Sequence, residues 1–308
     1  MNKQKLLHKW NYNWPLALMA APAVILLITF NYIPMFGLVL AFKDYTYQGG
    51  IWGSDWAGAM GLDNFKYIFS SGEISVTLRN TILYHIAFSL TVLGAGIILG
   101  ILLYWVQSKK LSRIYQGAIQ LPYLTSFAVM GCILYMLLKM KGGLFNTLIE
   151  QMGGEAIAWY TEPKYWPLIL ILVNLWFGGG IKSIYFYSAF MSIDNSLFEA
   201  ADMDGAKWYH KVFNIMLPGI APTICILLIT DLGALLSANF SLFYSLTQDS
   251  SALYSVTDVI STYEYRGLTM GNYGTTAALG LFTSVVQVVA TLSINKIVKI
   301  INPENAMY

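Results

Sequence analysis

Charge is what this 308-residue sequence has least of. Asp, Glu, Lys and Arg make up 11% of it against 56% hydrophobic residues, whereas soluble domains carry roughly 25% charged residues. That is too little charge to wet the surface of a soluble core, and a bilayer removes the difficulty. The net charge is only +2, which excludes the electrostatic footprint of a nucleic-acid binder. Cysteine is scarce as well: Cys132 and Cys225 lie in separate apolar runs. A disulfide framework is thereby excluded, and the two thiols read as packing residues. No G-x-x-x-x-G-K-[ST] occurs, and the Gly-Gly-Gly-Ile-Lys-Ser stretch at 178–183 lacks the first-glycine spacing, so no phosphate-cradling loop of that type is expected. Gly94, Gly96 and Gly100 imitate a dinucleotide fingerprint only in outline; Gly96 and Gly100, four apart in an apolar run, read as a site of close helix packing. No Ser/His/Asp set or carboxylate pair stands out, and His85 has no companion at metal-ligand spacing. Neither a catalytic nor a metal site is expected.

Long hydrophobic runs, by contrast, are abundant. Six segments suit a hydrocarbon core of about 30 Å: 16–40, 81–106, 117–138, 166–189, 219–237 and 273–294. The first follows Lys3, Lys5 and Lys9 but is too long for a signal peptide, so it reads as a retained span. Lys109, Lys110, Arg113, Lys207, Lys211, Lys296 and Lys299 fall on the same side as those lysines, while most acids fall opposite. This bias predicts an all-α membrane protein of about six transmembrane helices with cytoplasmic N- and C-termini. The expected divisions are a cytoplasmic segment 1–15, a transmembrane domain 16–295 with a cytoplasmic loop at 192–217, and a tail 296–308. The long external loops are rich in Gly, Tyr and Trp, as suits an aromatic belt or a docking surface.

The most informative segment lies between the fourth and fifth runs. Ser196 with Glu199 three residues on predicts a capping box opening a short helix. Gly205 is free to end it in the left-handed conformation, a second helical stretch runs to Leu217, and Pro218 suits the start of the next span. A compact helical knob of this kind suits a partner's groove, or it is an interfacial helix anchoring two spans. The pattern of Glu199, Ala200, Ala201, Gly205, Ile215, Leu217 and Pro218 resembles the signature of permeases in binding-protein-dependent ABC importers. With Asp204 and Ala206 it resembles the carbohydrate branch, and the stretches 32–45 and 258–267 are similar to oligosaccharide or polysaccharide permeases related to the maltose importer.

The resemblance implies a type I ABC importer permease fold, with Ser196, Glu199, Ala200, Ala201, Asp204, Gly205, Ala206 and Lys207 contacting a cytoplasmic ATPase. It implies two ATPase subunits, a second homologous permease, an extracellular sugar-binding receptor and an oligosaccharide cargo, all working within membrane lipid and without nucleic acid. ATP and Mg would sit on the ATPases, with no cofactor in this chain. A secondary transporter or channel is the alternative; it would favour an inverted repeat, and none is visible.

Charges inside spans need a reason. Lys182 and Asp231 stand about 15 and 20 Å deep at 1.5 Å per residue, close enough to pair or to line a polar pathway together. Sugar sites combine aromatic faces with amides and hydroxyls. By depth the candidates are Asn80, Tyr84, His85, Asn174, Trp176, Tyr185, Tyr187, Asn239 and Tyr244.

Overall fold

The computed structural model describes residues 3–58 and 60–301, and their side chains from Trp14 to Ile300. Residues 1–2 of the expected N-terminal segment and 302–308 of the expected tail lie outside the described residues, as do the side chains of Lys3, Lys5 and Lys9. Chain contacts divide the protein into two units, 1–70 with 267–282 and 71–266 with 283–308. Among the described residues, four continuous helical segments are long and apolar enough to cross a bilayer, and two bent helix pairs bring the number to six.

In the first unit, α1 (Lys3–Leu27) widens into a π-turn at Ile28–Tyr32 and then tightens to a 3-10 helix at Ile33–Phe42. Pro34 is the cause: it has no N–H to donate, and its ring presses on the carbonyl four residues back, at Phe30. The chain then forms a two-residue antiparallel ladder between β1 (Lys43–Asp44) and β2 (Asp55–Trp56). Lys43 pins it, its ammonium donating to the Ser54 carbonyl at 2.6 Å and lying 4.6 Å from the Trp56 ring centre.

The second unit holds α2 (Gly72–Trp105), α3 (Lys109–Gln120), α4 (Phe127–Leu138), α5 (Leu144–Gln151), α6 (Trp166–Met191), α7 (Asn195–Met203), α8 (Trp208–Lys211), α9 (Ala221–Gly233) and α10 (Phe240–Thr247). Two further helices, α11 (Ile260–Thr269) and α12 (Tyr273–Ile301), complete the described chain. Its spine is the contact of α2 with α6. A Cβ on Gly96 would come within 2.8 Å of the Lys182 Cβ, and one on Gly100 within 3.0 Å of the Phe186 Cβ, so both positions admit the close packing expected of them. Leu83, Leu90, Ile98 and Leu102 run along α2 exposed, a stripe that only an apolar solvent would tolerate.

Two expected spans are broken. The run 117–138 reads as one helix, yet α3 and its 3-10 extension (Leu121–Leu124) meet α4 at 87°. Pro122 interrupts the amide ladder, and Ser126 restarts it by accepting from the Val129 N–H. The run 219–237 is likewise shorter: α9 starts after a 58° bend at Ile220 and ends at Gly233. A second π-turn, Val212–Met216, precedes Pro218, again with the residue four positions back inside the widened turn.

Outside the spans the connections are tied by polar side chains. Buried Asn146 donates to the Ile157 carbonyl and accepts from the Ile157 and Trp159 N–H groups at 2.9–3.0 Å. Arg266 joins Asp258 at 2.6 Å and Asp249 at 3.6 Å, across the face of Tyr254. On α11, burial pushes the Glu264 carboxyl up from 4.5 to about 7. An acid whose folded value is raised contributes stability that is fully present below the unfolded value and lost as pH rises through the folded one. Protection of the α11 amides from hydrogen exchange is therefore expected to fall between pH 4.5 and 7, and Glu264→Gln to flatten that dependence. An unchanged slope in Glu264→Gln contradicts the assignment.

Candidate functional site

The second unit carries two candidate features, a cavity with several polar side chains on its wall and a surface knob. The cavity, of about 210 Å³, is walled by Tyr84, His85 and Ser89 of α2, Asn174 and Gly178 of α6, and Asp231 of α9. Asn239, which caps α10 by accepting from the Leu242 N–H, completes the wall. A neighbouring cavity of about 600 Å³ shares Asn174, Gly178 and Asn239 and adds the hydroxyls of Thr125, Ser126, Ser241 and Ser245. The breaks in the helices create this lining: the bend at Thr125–Ser126 and the gap between α9 and α10 turn polar groups inward. The buried Tyr84 Oη and His85 Nε2 have no hydrogen-bond partner among the described residues. Buried polar atoms are nearly always satisfied; these two belong to residues of the wall but are themselves shielded from the cavity.

Lys182 and Asp231 do meet. The ammonium lies 3.5 Å from Asp231 Oδ1, and the Ser89 hydroxyl donates to Oδ2 at 3.3 Å. The depth argument thus brought together a true pair, and Asp231 also faces the cavity.

The other depth-based candidates divide. Tyr84, His85, Asn174 and Asn239 stand on the cavity wall. Asn80 is instead a structural tie, donating to the Asp258 carbonyl at 3.0 Å. Trp176 is exposed and borders an apolar cleft on another face of α6. Tyr185 is 55% exposed, Tyr187 lies on α6 away from both cavity walls, and Tyr244 stacks on Phe240 and meets Tyr265 edge-on. Sequence reading missed Thr81 and Ser89. Their spacing with Tyr84, His85 and Phe88 is that of one helix face and was the available signal.

The knob is the segment 192–217. Its helix α7 is capped by Asp194, whose carboxylate accepts from the Ser196 N–H at 2.9 Å. The expected capping box is therefore corrected: Ser196 lies inside the helix and Glu199 points outward. An aspartate at this place matches both the free amides and the positive end of the helix, and those bonds hold its carboxyl below the usual range. The other end is a Schellman turn, with the Ala206 N–H on the Ala201 carbonyl and the Gly205 N–H on the Asp202 carbonyl. It requires φ of +71° at Gly205, the left-handed conformation the sequence foretold.

Below the turn, the buried Lys211 ammonium pairs with Asp202 and ties α7 to α8. Phe198 is the only buried residue of α7 and enters a cluster with Leu93, Phe186, Phe190 and Met216. Its ring centre lies 5.5 Å from that of Tyr104. Ala201 and Ala206 are half-buried, while Ser196, Glu199, Ala200, Asp204, Gly205 and Lys207 all lie exposed, beside Leu197, Met203 and Trp208. Three large apolar side chains among charges on a two-helix knob are the composition of an interface.

Comparison with known proteins gives the family context. The family model described as binding-protein-dependent transport system inner membrane component matches residues 96–304. Protein LplB of Bacillus subtilis (strain 168) is 33% identical over 292 residues, covering 94% of this chain and 89% of that protein. The polygalacturonan/rhamnogalacturonan transport system permease protein YteP of the same organism is 31% identical over 298 residues, covering 96% and 91%. A chain of the crystal structure of a bacterial alginate ABC transporter, in complex with an alginate pentasaccharide-bound periplasmic protein, superposes with a TM-score of 0.85 at 31% identity. The match covers 96% of this chain and 98% of that one.

Proposed function

This chain belongs to the binding-protein-dependent transport system inner membrane components, and from that premise we propose how its parts divide the work. It is a multi-pass permease subunit of an ATP-driven sugar importer, a transport component and not an enzyme, with hydrolysis on a separate subunit. We place it in a bacterial cytoplasmic membrane with both termini inside. Its partners are a second homologous permease, two ATPases that carry the ATP and Mg, and an external receptor that delivers an oligosaccharide.

The knob at 192–217 is the coupling element. Ser196, Glu199, Ala200, Asp204, Gly205 and Lys207 form its contact surface, and Ala201 with Ala206 holds its turn. The observation that carries this reading is the combination of an exposed apolar face with a single buried anchor, Phe198. Such a knob can seat in a cleft and move as one body. The cavity between α2, α6, α9 and α10 is the half-pathway for the sugar, supported by the convergence of Asn174, Asp231 and Asn239 on its wall. ATPase closure displaces the knob, and the bends at Thr125–Ser126 and Ile220 give the helices places to hinge.

Affinity purification of the intact chain from its native membrane tests the assembly. An ATPase and a second permease are expected to co-elute, and proteoliposomes of the complex are expected to take up saccharide only with receptor and ATP. Uptake by the chain alone, driven by an ion gradient, would instead establish a secondary transporter.

A further inference from the structure

We infer that Asp231 accepts hydrogen bonds from sugar hydroxyls and sets the charge class of the cargo. Lys182 is the positioning residue behind it, and the half-pathway built by this chain favours uncharged saccharides over uronates. The inference rests on the oligosaccharide reading above.

Asp231 belongs to the cavity wall and Lys182 does not. The carboxylate therefore stands in front, with the ammonium 3.5 Å away and the Ser89 hydroxyl holding the second oxygen. Gly96 explains how Lys182 stays behind. The Lys182 Cβ lies where any side chain at Gly96 would collide, so its stem crosses α2 at that glycine. The pair also has an electrostatic reason. Asp231 stands two residues before the end of α9, where the helix dipole disfavours an anion, and charge at membrane depth is costly in itself. Lys182 compensates both.

What faces the cavity is then a carboxylate among hydroxyl, amide and imidazole groups. Thr81, Tyr84, His85, Asn174 and Asn239 surround it, and the wall has no lysine or arginine among its described residues. A carboxylate accepts from vicinal hydroxyls in charge-assisted bonds, about twice as strong as neutral ones. Any hexose supplies those hydroxyls. A uronate adds a second anion nearby. Its repulsion from the carboxylate at about 6 Å and an effective permittivity of about 20 is partly offset by the Lys182 ammonium 3.5 Å behind that carboxylate. That leaves a penalty of roughly fivefold in occupancy before screening. YteP and the alginate transporter are named for acidic polymers; this wall argues for a different cargo here.

The test uses the full complex in proteoliposomes, with this chain, the second permease, ATPases and receptor. The probes are three matched pairs of trisaccharides, neutral and uronate, in the gluco, galacto and manno configurations, with receptor affinities measured separately. Uptake normalised to receptor occupancy is expected to favour the neutral member by about threefold or more. Asp231→Asn, which leaves Lys182 unmatched, is expected to raise the uronate-to-neutral ratio by about tenfold or more. Asp231→Glu should keep the wild-type ratio, and Lys182→Met with Asp231→Asn should fall between. The ratio is internal to each protein, so a reduced amount of assembled complex does not shift it. Equal uptake of both members by wild type overturns the inference, as does one ratio shared by all variants, which would make the pair structural only. If no probe is taken up while ATPase and permease still co-elute, the oligosaccharide reading falls and takes this one with it.

Discussion

Proline at position 205 is expected to abolish uptake while leaving the chain in the membrane. Gly205 sits at φ +71° and donates its N–H to the Asp202 carbonyl. Proline fixes φ near −65° and has no N–H, so it can neither adopt the turn nor make that bond. The knob would then prefer another conformation by about 3 kcal/mol, which at 1.4 kcal/mol per tenfold leaves roughly one molecule in 100 with the native turn. Gly205→Ala is a milder control, because no neighbouring atom lies within 4 Å of its Cβ. Its cost is only the left-handed backbone, about 1–2 kcal/mol. Receptor-stimulated ATPase activity and uptake should fall together in the order Gly, Ala, Pro. Wild-type uptake by Gly205→Pro would show that the knob does not couple.

The second large effect is expected at Phe198. Its ring is the one anchor of α7, packed with Phe190, Met216 and Tyr104. Truncating a buried phenylalanine to alanine costs about 3–5 kcal/mol, here concentrated on the docking of a nine-residue helix. Phe198→Ala should leave α7 loosely attached, with fast hydrogen exchange across 195–211 and ATP hydrolysis no longer linked to uptake. Phe198→Leu retains most of the apolar volume and should retain most of the coupling. Unchanged exchange in Phe198→Ala would mean that the helix is held by the Lys211–Asp202 pair instead.

The membrane class and the knob were legible because each rests on a strong local signal. Long uncharged runs have no soluble alternative, and a glycine between two helical stretches has few uses other than a left-handed turn. Capping was misjudged because Asp194 and Ser196, two positions apart, are both residue types that open helices. Ser196 with Glu199 makes the more familiar pattern, but the carboxylate two residues earlier adds its charge to the helix dipole. The bend near Ser126 was invisible to hydropathy, since its apolar run is continuous across Pro122. The cavity was only half legible. Depth along a span fixes how far a residue lies from the surface, which sufficed for Lys182 and Asp231. It does not fix the face of the helix, so Trp176 and Tyr185 passed the depth test and yet turn away from the wall.

Lys182, Phe186 and Phe190 follow one another at four-residue intervals along α6, so they stand in a single row one helical turn apart. The lower end of that row receives the ring of Phe198, and its upper end holds the ammonium behind Asp231. Under the assignments proposed above, the row makes α6 a push-rod about 12 Å long at 1.5 Å per residue, with the proposed coupling knob at one end and the proposed sugar-facing charge at the other. A stroke delivered to the knob need not travel through any loop to reach the cargo.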